Sequence, residues 1–587
     1  MLNLRGVTPA AGEKTAKSLS EQLTASRIAA LIAVFALIYG IASMHRYGVT
    51  SDAPALYYAG DRTLYWMAHP TEPGALDFRG NDPSAFTSTF DRHQAAYDDP
   101  IWFPVFPALV CAITSRVFHD SLGWMNVIDG HHLGLLLLHC VGLFFFGIYT
   151  SRLFGRVGGL AATIALALFP SSIGHSFNNP KDWPCAVFYG LAMLAACVGI
   201  VEQRARHLIA SAVFVGLSIS AKFNGYLVFA NLVLWVPIAW WLLYRKKIQI
   251  SAAMSSAFIA MPYLAFGLFI VLWPWIWHAG IAQGWDNFAE HIRFMISRGV
   301  GERPTWTSYP FRVLLLMSPP IVLFLALSGT AIGWRGDARQ RAIWILLLIW
   351  LLFPLVRIAA PHSNFYDANR HFLEYVPALC ALAGFGVARL TELVRSFCAD
   401  RERVANYLGV GAAVIGLASL VYADATYRPF EAAYFNIFAG GLHGAQRDRP
   451  LSMEEPHVGW ANGTEGDFWW SSVRDAVTFL QARHVTNAVG LCQTGKVLWG
   501  DSWPEGVPMP NFVDARDPDF NQTAWVYIMP RQTSCPWPMV QRLESERPIV
   551  HRVERDGGLI FEILGARDGH PHQPRPSTVE NAERFSR

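Results

Sequence analysis

The feature that most constrains this chain is the recurrence of apolar runs close to the length of a helix that crosses a bilayer. A hydrocarbon core about 30 Å thick takes roughly 20 apolar residues in helical conformation. Runs near that length fall at 28–46, 131–151, 157–175, 184–201, 208–221, 224–243, 252–276, 312–333, 342–358, 372–390 and 405–423, the fifth being the shortest. A chain of 587 residues that is 52% hydrophobic and 16% charged has more apolar surface than a water-soluble core can hide. The expectation is a polytopic α-helical membrane protein with about 11 transmembrane helices.

The first run follows a polar leader, 1–27, carrying Arg5, Lys14, Lys17 and Arg27, and no small-residue cleavage site precedes its basic end at His45-Arg46. It reads as an uncleaved signal anchor. The basic connectors are Arg152 and Arg156; Arg204 and Arg206; Arg245-Lys246-Lys247; Arg335, Arg339 and Arg341; and Arg395, Arg401 and Arg403. They follow every second span and therefore share one face. Basic connectors stay in the cytoplasm, so the N-terminus is expected there. The long first loop, 48–130, and everything after Tyr422 then lie on the exterior face.

Within that loop, 101–118 is an apolar segment interrupted by Pro104 and Pro107. It reads as a helix lying along the membrane interface; the alternative, a twelfth span, would reverse the topology of everything after it, against the charge pattern of the later loops. After Tyr422 the pattern changes. Alternating runs at 487–492 and 524–529 predict strands, and 472–483 predicts an amphipathic helix, so 424–566 is expected to form an exterior α/β domain. The stretch 567–587, rich in Pro, His and charge, reads as a disordered tail. Cys492 and Cys535 fall where disulfides persist and are candidates for one, although sequence does not supply their separation. A net charge of +3, with its cations placed between apolar runs, excludes a basic stripe for nucleic acid.

Charged groups near a bilayer are costly and are commonly kept for a site. Four clusters fall at exterior ends of spans: Asp52; Asn178-Asn179-Pro180-Lys181-Asp182-Trp183-Pro184; Lys222-Phe223-Asn224-Gly225; and Asn369-Arg370-His371. Their convergence suits a lipid whose phosphate lies at the membrane surface. Cations would hold the phosphate and Asp52 would take a proton from an incoming hydroxyl or amine. The plainer alternative makes each charge a helix cap or a snorkelling side chain. Lys181 and Asp182 either contact substrate or pair with each other as a latch. His131-His132 and His362 read as hydrogen-bonded structural residues, so no metal ligands are assigned. No Walker-type glycine loop is present.

Two further motifs carry a family likeness. Arg152-Leu153-Phe154-Gly155 is followed by Gly174-His175-Ser176-Phe177 running into Asn178 to Pro184, and the junction after the last span reads Tyr434-Phe435-Asn436, Gly440-Gly441 and Asp467-Phe468-Trp469-Trp470. In these the chain resembles the GT-C fold membrane glycosyltransferases, which include the protein O-mannosyltransferases and the aminoarabinose transferase of lipid A, and is nearest their bacterial relatives. The resemblance runs from the end of the first span into the C-terminal domain. It implies a GT-C membrane domain over 28–423 in a bacterial inner membrane. The implied activity is inverting transfer of a sugar from a polyprenyl-phosphate-linked donor to a protein, lipid or glycan acceptor on the exterior face.

The resemblance also implies roles. Ser51-Asp52-Ala53-Pro54 occupies the position of the catalytic base, so Asp52 is the expected base. Many relatives carry a second acid where this chain has Ala53, and Asp98-Asp99 could substitute, which makes Asp99 the second catalytic candidate. Lys222 and Arg370 are the expected donor-phosphate ligands, and Asn179, Lys181, Asp182 and His371 are expected to line the mouth of the site. No cofactor is required, and a divalent metal is neither implied nor excluded. The alternative from another class is a lipid or solute transporter. Against it stand the lack of two repeated halves and the gathering of polar clusters at one face instead of at mid-membrane.

Overall fold

The structure is a computed structural model that describes residues 11–76, 85–90, 103–244, 251–398, 401–448, 451, 465–467, 469–492, 496–504, 506–530 and 535–567. Among these residues eight helices are long and apolar enough to cross a membrane, and the pair Tyr309–Leu316 and Pro320–Gly333, bent by 115°, makes a ninth. One of the eight, Val127–Ala167, is broken at Gly155, whose φ of 77° suits only a residue without Cβ. The chain reverses there. The Thr150 hydroxyl reaches the Gly159 carbonyl at 3.5 Å, and Gly147 packs against Thr163. The two arms correspond to the runs expected at 131–151 and 157–175, the second continuing into helix Pro170–Asn178. With the shorter apolar helix Ala205–Ile219, each expected run has a helical counterpart. The chain is a multi-pass membrane protein.

The connectors sort to two ends. Arg152 bonds Glu202 at 2.5 Å, and Arg339 donates to the Arg152 carbonyl at 3.0 Å, so basic connectors distant in sequence meet at one end. Residues 245–247, also expected there, lie outside the described residues. Asp52, Lys181, Lys222 and Arg370 gather at the other end. Helix Asp182–Val201 runs through the centre with nearly every side chain buried. Where apolar helices pack in lipid, small residues let backbones approach closely. A Cβ on Gly329 would stand 2.7 Å from the Leu382 carbonyl, and one on Gly158 would stand 2.8 Å from the Gly384 carbonyl.

In the first loop, helix Ala53–Ala68 is followed by helix Phe106–Ser115, which carries Pro107 in its first turn and packs between helix Ala53–Ala68 and helix Val127–Ala167. The 10 residues of Phe106–Ser115 and the 6 of the π-helical stretch Arg116–Ser121 that continues it make a helix of about 24 Å at 1.5 Å per residue, short of a hydrocarbon core of about 30 Å, which supports the interfacial reading.

The C-terminal region folds as a five-stranded sheet of β1 (Val489–Leu491), β2 (Phe512–Asp514), β3 (Trp525–Ile528), β4 (Ile549–Arg555) and β5 (Gly558–Leu564), in the order β2-β1-β3-β5-β4. β1 is parallel to β2 and β3, whereas β5 is antiparallel to β3 and β4. The β4–β5 hairpin turns on Asp556-Gly557, both at positive φ, as a two-residue hairpin loop requires. The strands expected at 487–492 and 524–529 are β1 and β3, and helix Val473–Ala482 occupies the expected 472–483. Cys492 and Cys535 are bonded, with Cα atoms 5.0 Å apart, in a core with Val513, Phe520, Val526 and Val540. The tail expected to be disordered lies outside the described residues beyond Arg567.

This region is stitched to the membrane helices at the same end as Asp52. Arg474 donates to the Tyr47 carbonyl at 3.0 Å and to Asp129 at 2.7 Å, and the Ser51 N–H donates to the Trp469 carbonyl at 3.2 Å. Asn436 donates to the carbonyls of Leu315 and Ser318, which pins the bend between Tyr309–Leu316 and Pro320–Gly333.

Candidate active site

Asp52 occupies the N-cap position of helix Ala53–Ala68, yet its carboxylate makes no capping bond. Instead Oδ2 accepts from Lys181 Nζ at 2.6 Å and from Arg370 Nη1 at 2.7 Å. The capping reading of Asp52 is therefore set aside. The main chain around it is held by neighbours: Thr50 Oγ1 donates to the Asn178 carbonyl at 2.7 Å.

The turn after helix Pro170–Asn178 places Lys181. Asn179 Oδ1 accepts from the Asp182 N–H at 2.9 Å, and Asn179 Nδ2 donates to Asp182 Oδ2 at 3.3 Å, closing the loop before helix Asp182–Val201. Asn179 is fully buried, so it shapes the turn and does not line an open mouth. Lys181 and Asp182 point to different partners, which corrects the idea of a mutual latch: Lys181 meets Asp52, and Asp182 Oδ1 lies 2.6 Å from Lys222 Nζ. Adjacent residues at a helix start point to different sides, which prevents their pairing.

Arg370 is clamped on several sides. Its Nη2 lies 3.1 Å from Asp367, and its guanidinium stacks 5.0 Å from the Tyr366 ring and 4.8 Å from the Trp469 ring. Lys181 rests 4.1 Å from the Phe103 ring. His371 holds the segment through its carbonyl, which accepts from Asn224 at 3.1 Å and Arg357 at 2.8 Å, while its ring packs on Tyr366. Asp52, Asp182 and Asp367 are thus set against Lys181, Lys222 and Arg370.

These surroundings set the charges. Burial by itself would raise the Asp52 carboxyl, but Lys181 and Arg370 outweigh it and hold the group well below the usual carboxylate range. Burial, and then the charges of Lys222 and Arg370, keep the His371 imidazole well below its ordinary value, so the ring is neutral at pH 7. Asp52 keeps 32% side-chain exposure, whereas Asp182 keeps 1%. Of the two carboxylates, Asp52 is the one within reach of an incoming molecule.

An apolar groove runs between helices Ala205–Ile219, Phe223–Tyr244 and Ala252–Val271 and reaches Ile219 and Tyr226, which flank Lys222 in sequence. Its deeper part is lined by Leu208, Leu232 and Met261, and Phe229 and Pro262 carry it on to Ile219, Tyr226 and Phe266. Pro237 and Pro262 lie within two of these helices.

The structure brings Asp52, Lys181, Asp182, Lys222, Arg370 and His371 to one place. Asp99 lies outside the described residues. Asp367, Tyr366 and Phe103 escaped the sequence reading; Asp367 stands three residues before Arg370, a spacing that could have flagged it, whereas nothing near Phe103 marks it. Trp469 belonged to a noted motif, but its contact with Arg370 did not follow from the motif. Among the described residues no group of three or more His, Cys, Asp or Glu side chains is arranged to hold a metal ion.

No family model and no curated protein matches the chain. Solved structures do align with it over most of its length. ArnT from Cupriavidus metallidurans in the apo state aligns at a TM-score of 0.44 and 15% identity, covering 91% of this chain and 97% of that one. The oligosaccharyltransferase of Archaeoglobus fulgidus aligns at 0.46 and 11% identity, covering 86% of this chain and 69% of that one. ArnT bound to undecaprenyl phosphate aligns at 0.44 and 12% identity over 93% of this chain and 99% of that one. At these scores the likeness assigns neither substrate nor residue roles.

Proposed function

We propose that this protein transfers a sugar from a polyprenyl-phosphate-linked donor to an acceptor on the exterior face of a bacterial inner membrane, with inversion at the anomeric carbon. The observation that carries this reading is the placement of Asp52, partly exposed between Lys181 and Arg370, at the end of the molecule toward which the apolar groove extends as far as Ile219 and Tyr226. The groove suits a hydrocarbon chain, and the cations suit the phosphate to which that chain is joined. Asp52 accepts the acceptor's proton as the acceptor oxygen or nitrogen attacks the anomeric carbon. Lys222 and Arg370 offset the charge that gathers on the departing polyprenyl phosphate. A single displacement of this kind needs one base and no covalent intermediate, which accords with inversion. Asp99 stands as the replacement base if Asp52 fails. Basic connectors at the opposite end support a cytoplasmic N-terminus and an exterior site.

The test is incubation of the purified protein with a sugar-charged polyprenyl phosphate and a cell-envelope extract. Release of sugar-free polyprenyl phosphate is expected. Donor that is moved across a vesicle membrane intact, with no such release, would establish a transporter instead.

A further inference from the structure

A base held far below its usual range is a poor proton acceptor, and the donor-free site holds Asp52 in that state. The geometry resolves the conflict. Lys181 Nζ and Arg370 Nη1 converge on one oxygen, Asp52 Oδ2, at 2.6 and 2.7 Å, while Oδ1 faces Ser51 Oγ at 3.4 Å. Two cations meeting at one oxyanion form the arrangement that binds a phosphate oxygen. The cations are the fixed members. Their side chains are 8% and 6% exposed, Arg370 is wedged between Tyr366, Trp469 and Asp367, and Lys181 lies on Phe103. Asp52, at 32%, is the accessible member and is not tied down as a helix cap.

We propose that Lys181 and Arg370 form the binding site for the donor's phosphate, and that Asp52 fills this site in the donor-free protein until the arriving phosphate exchanges for it and frees it to act as the base. The proposal rests on the transferase reading above. It makes the base active only when the donor is in place, so donor binds before the acceptor is deprotonated, and hydrolysis or idle proton exchange is suppressed. Charge balances through the step. The acceptor atom bonds to the anomeric carbon and its proton goes to Asp52. The bond from that carbon to the phosphate oxygen breaks, and its electron pair stays on the phosphate. Asp52 ends neutral and the phosphate ends with one more negative charge, beside the two cations that Asp52 has released.

The test uses the full chain in lipid nanodiscs and a polyprenyl phosphate carrying no sugar, with affinity measured by calorimetry. Asp52→Asn removes the competing carboxylate and is expected to bind the probe about tenfold more tightly than wild type, a gain of about 1.4 kcal/mol. Lys181→Met is expected to bind at least tenfold more weakly. Unchanged or weaker binding by a folded Asp52→Asn variant overturns the exchange and leaves the transferase reading standing. Failure of the wild type itself to bind the probe overturns the transferase reading. A second measurement needs no variant. Asp52 is expected to resist an apolar carbodiimide in the donor-free protein and to be labelled, by peptide mass spectrometry, once the probe is bound; labelling that the probe leaves unchanged overturns the exchange.

Discussion

Lys222 and Asp182 form a close ion pair, Nζ to Oδ1 at 2.6 Å, in which the carboxylate is 1% exposed and the ammonium 13%. The lysine expected at the donor phosphate is therefore also the partner of a buried charge. Removing one member of such a pair strands the other, at a cost of about 3–5 kcal/mol. Lys222→Ala should lower the melting temperature strongly, and Lys222→Ala with Asp182→Asn should recover much of it. A double-mutant cycle followed by thermal melting checks this. An Asp182→Asn variant as stable as wild type would show that the pair has no structural part.

Asp52→Asn keeps size and some hydrogen bonding but cannot take a proton. Arg370 retains Asp367 and Lys181 retains the Phe103 ring, so the fold should survive. Turnover should fall about a hundredfold or more. Steady-state rates at saturating donor, with melting as control, measure it. Near-normal turnover would move attention to Asp99.

Opposite ends of the molecule should report opposite compartments. A reporter inserted at Gln203, beside the Arg152–Glu202 contact, should read cytoplasmic, and one fused after Gly565 should read exterior. Both reporters on one side would break the topology.

The Cys492–Cys535 bond closes a loop between residues 43 apart, for which a contribution of about 2–4 kcal/mol is typical. Denatured, unreduced protein should expose to a thiol reagent only the other cysteines, among them the buried Cys111, Cys140, Cys185, Cys197 and Cys380. Cys492→Ser should lower the melting temperature of the sheet region.

Glu431 is fully buried, and its Oε1 accepts from Tyr47 at 2.6 Å. Burial, and then the charge of Asp424, push its carboxyl up to about 8. Unfolded, the same group titrates at its ordinary 4.5. Between these values the folded chain holds a proton that the unfolded chain has lost, so stability falls as pH rises through that window. Glu431→Gln should flatten the fall and raise stability near pH 8, as denaturation followed from pH 5 to 9 will show.

Local pattern determined much of this protein. The length of each apolar run, the recurrence of basic connectors after every second span and the alternation at 487–492 and 524–529 are properties of neighbouring residues, so the spans, the sharing of one end by the connectors and two strands of the sheet could be read directly. Gly155 entered only as the last residue of a family-like motif; its positive φ shows it to be the point where the chain reverses. The four polar clusters could likewise be assigned to one face, because that needs only the parity of spans. Their pairing could not. Asp52 lies 129 residues from Lys181 and 318 from Arg370, and three carboxylates and three cations admit several matchings of nearly equal chemistry. Which cation meets which acid depends on differences of a few ångströms in how the helices pack, and no sequence spacing encodes those; only the tertiary structure placed Asp52 between Lys181 and Arg370 and gave Asp182 to Lys222.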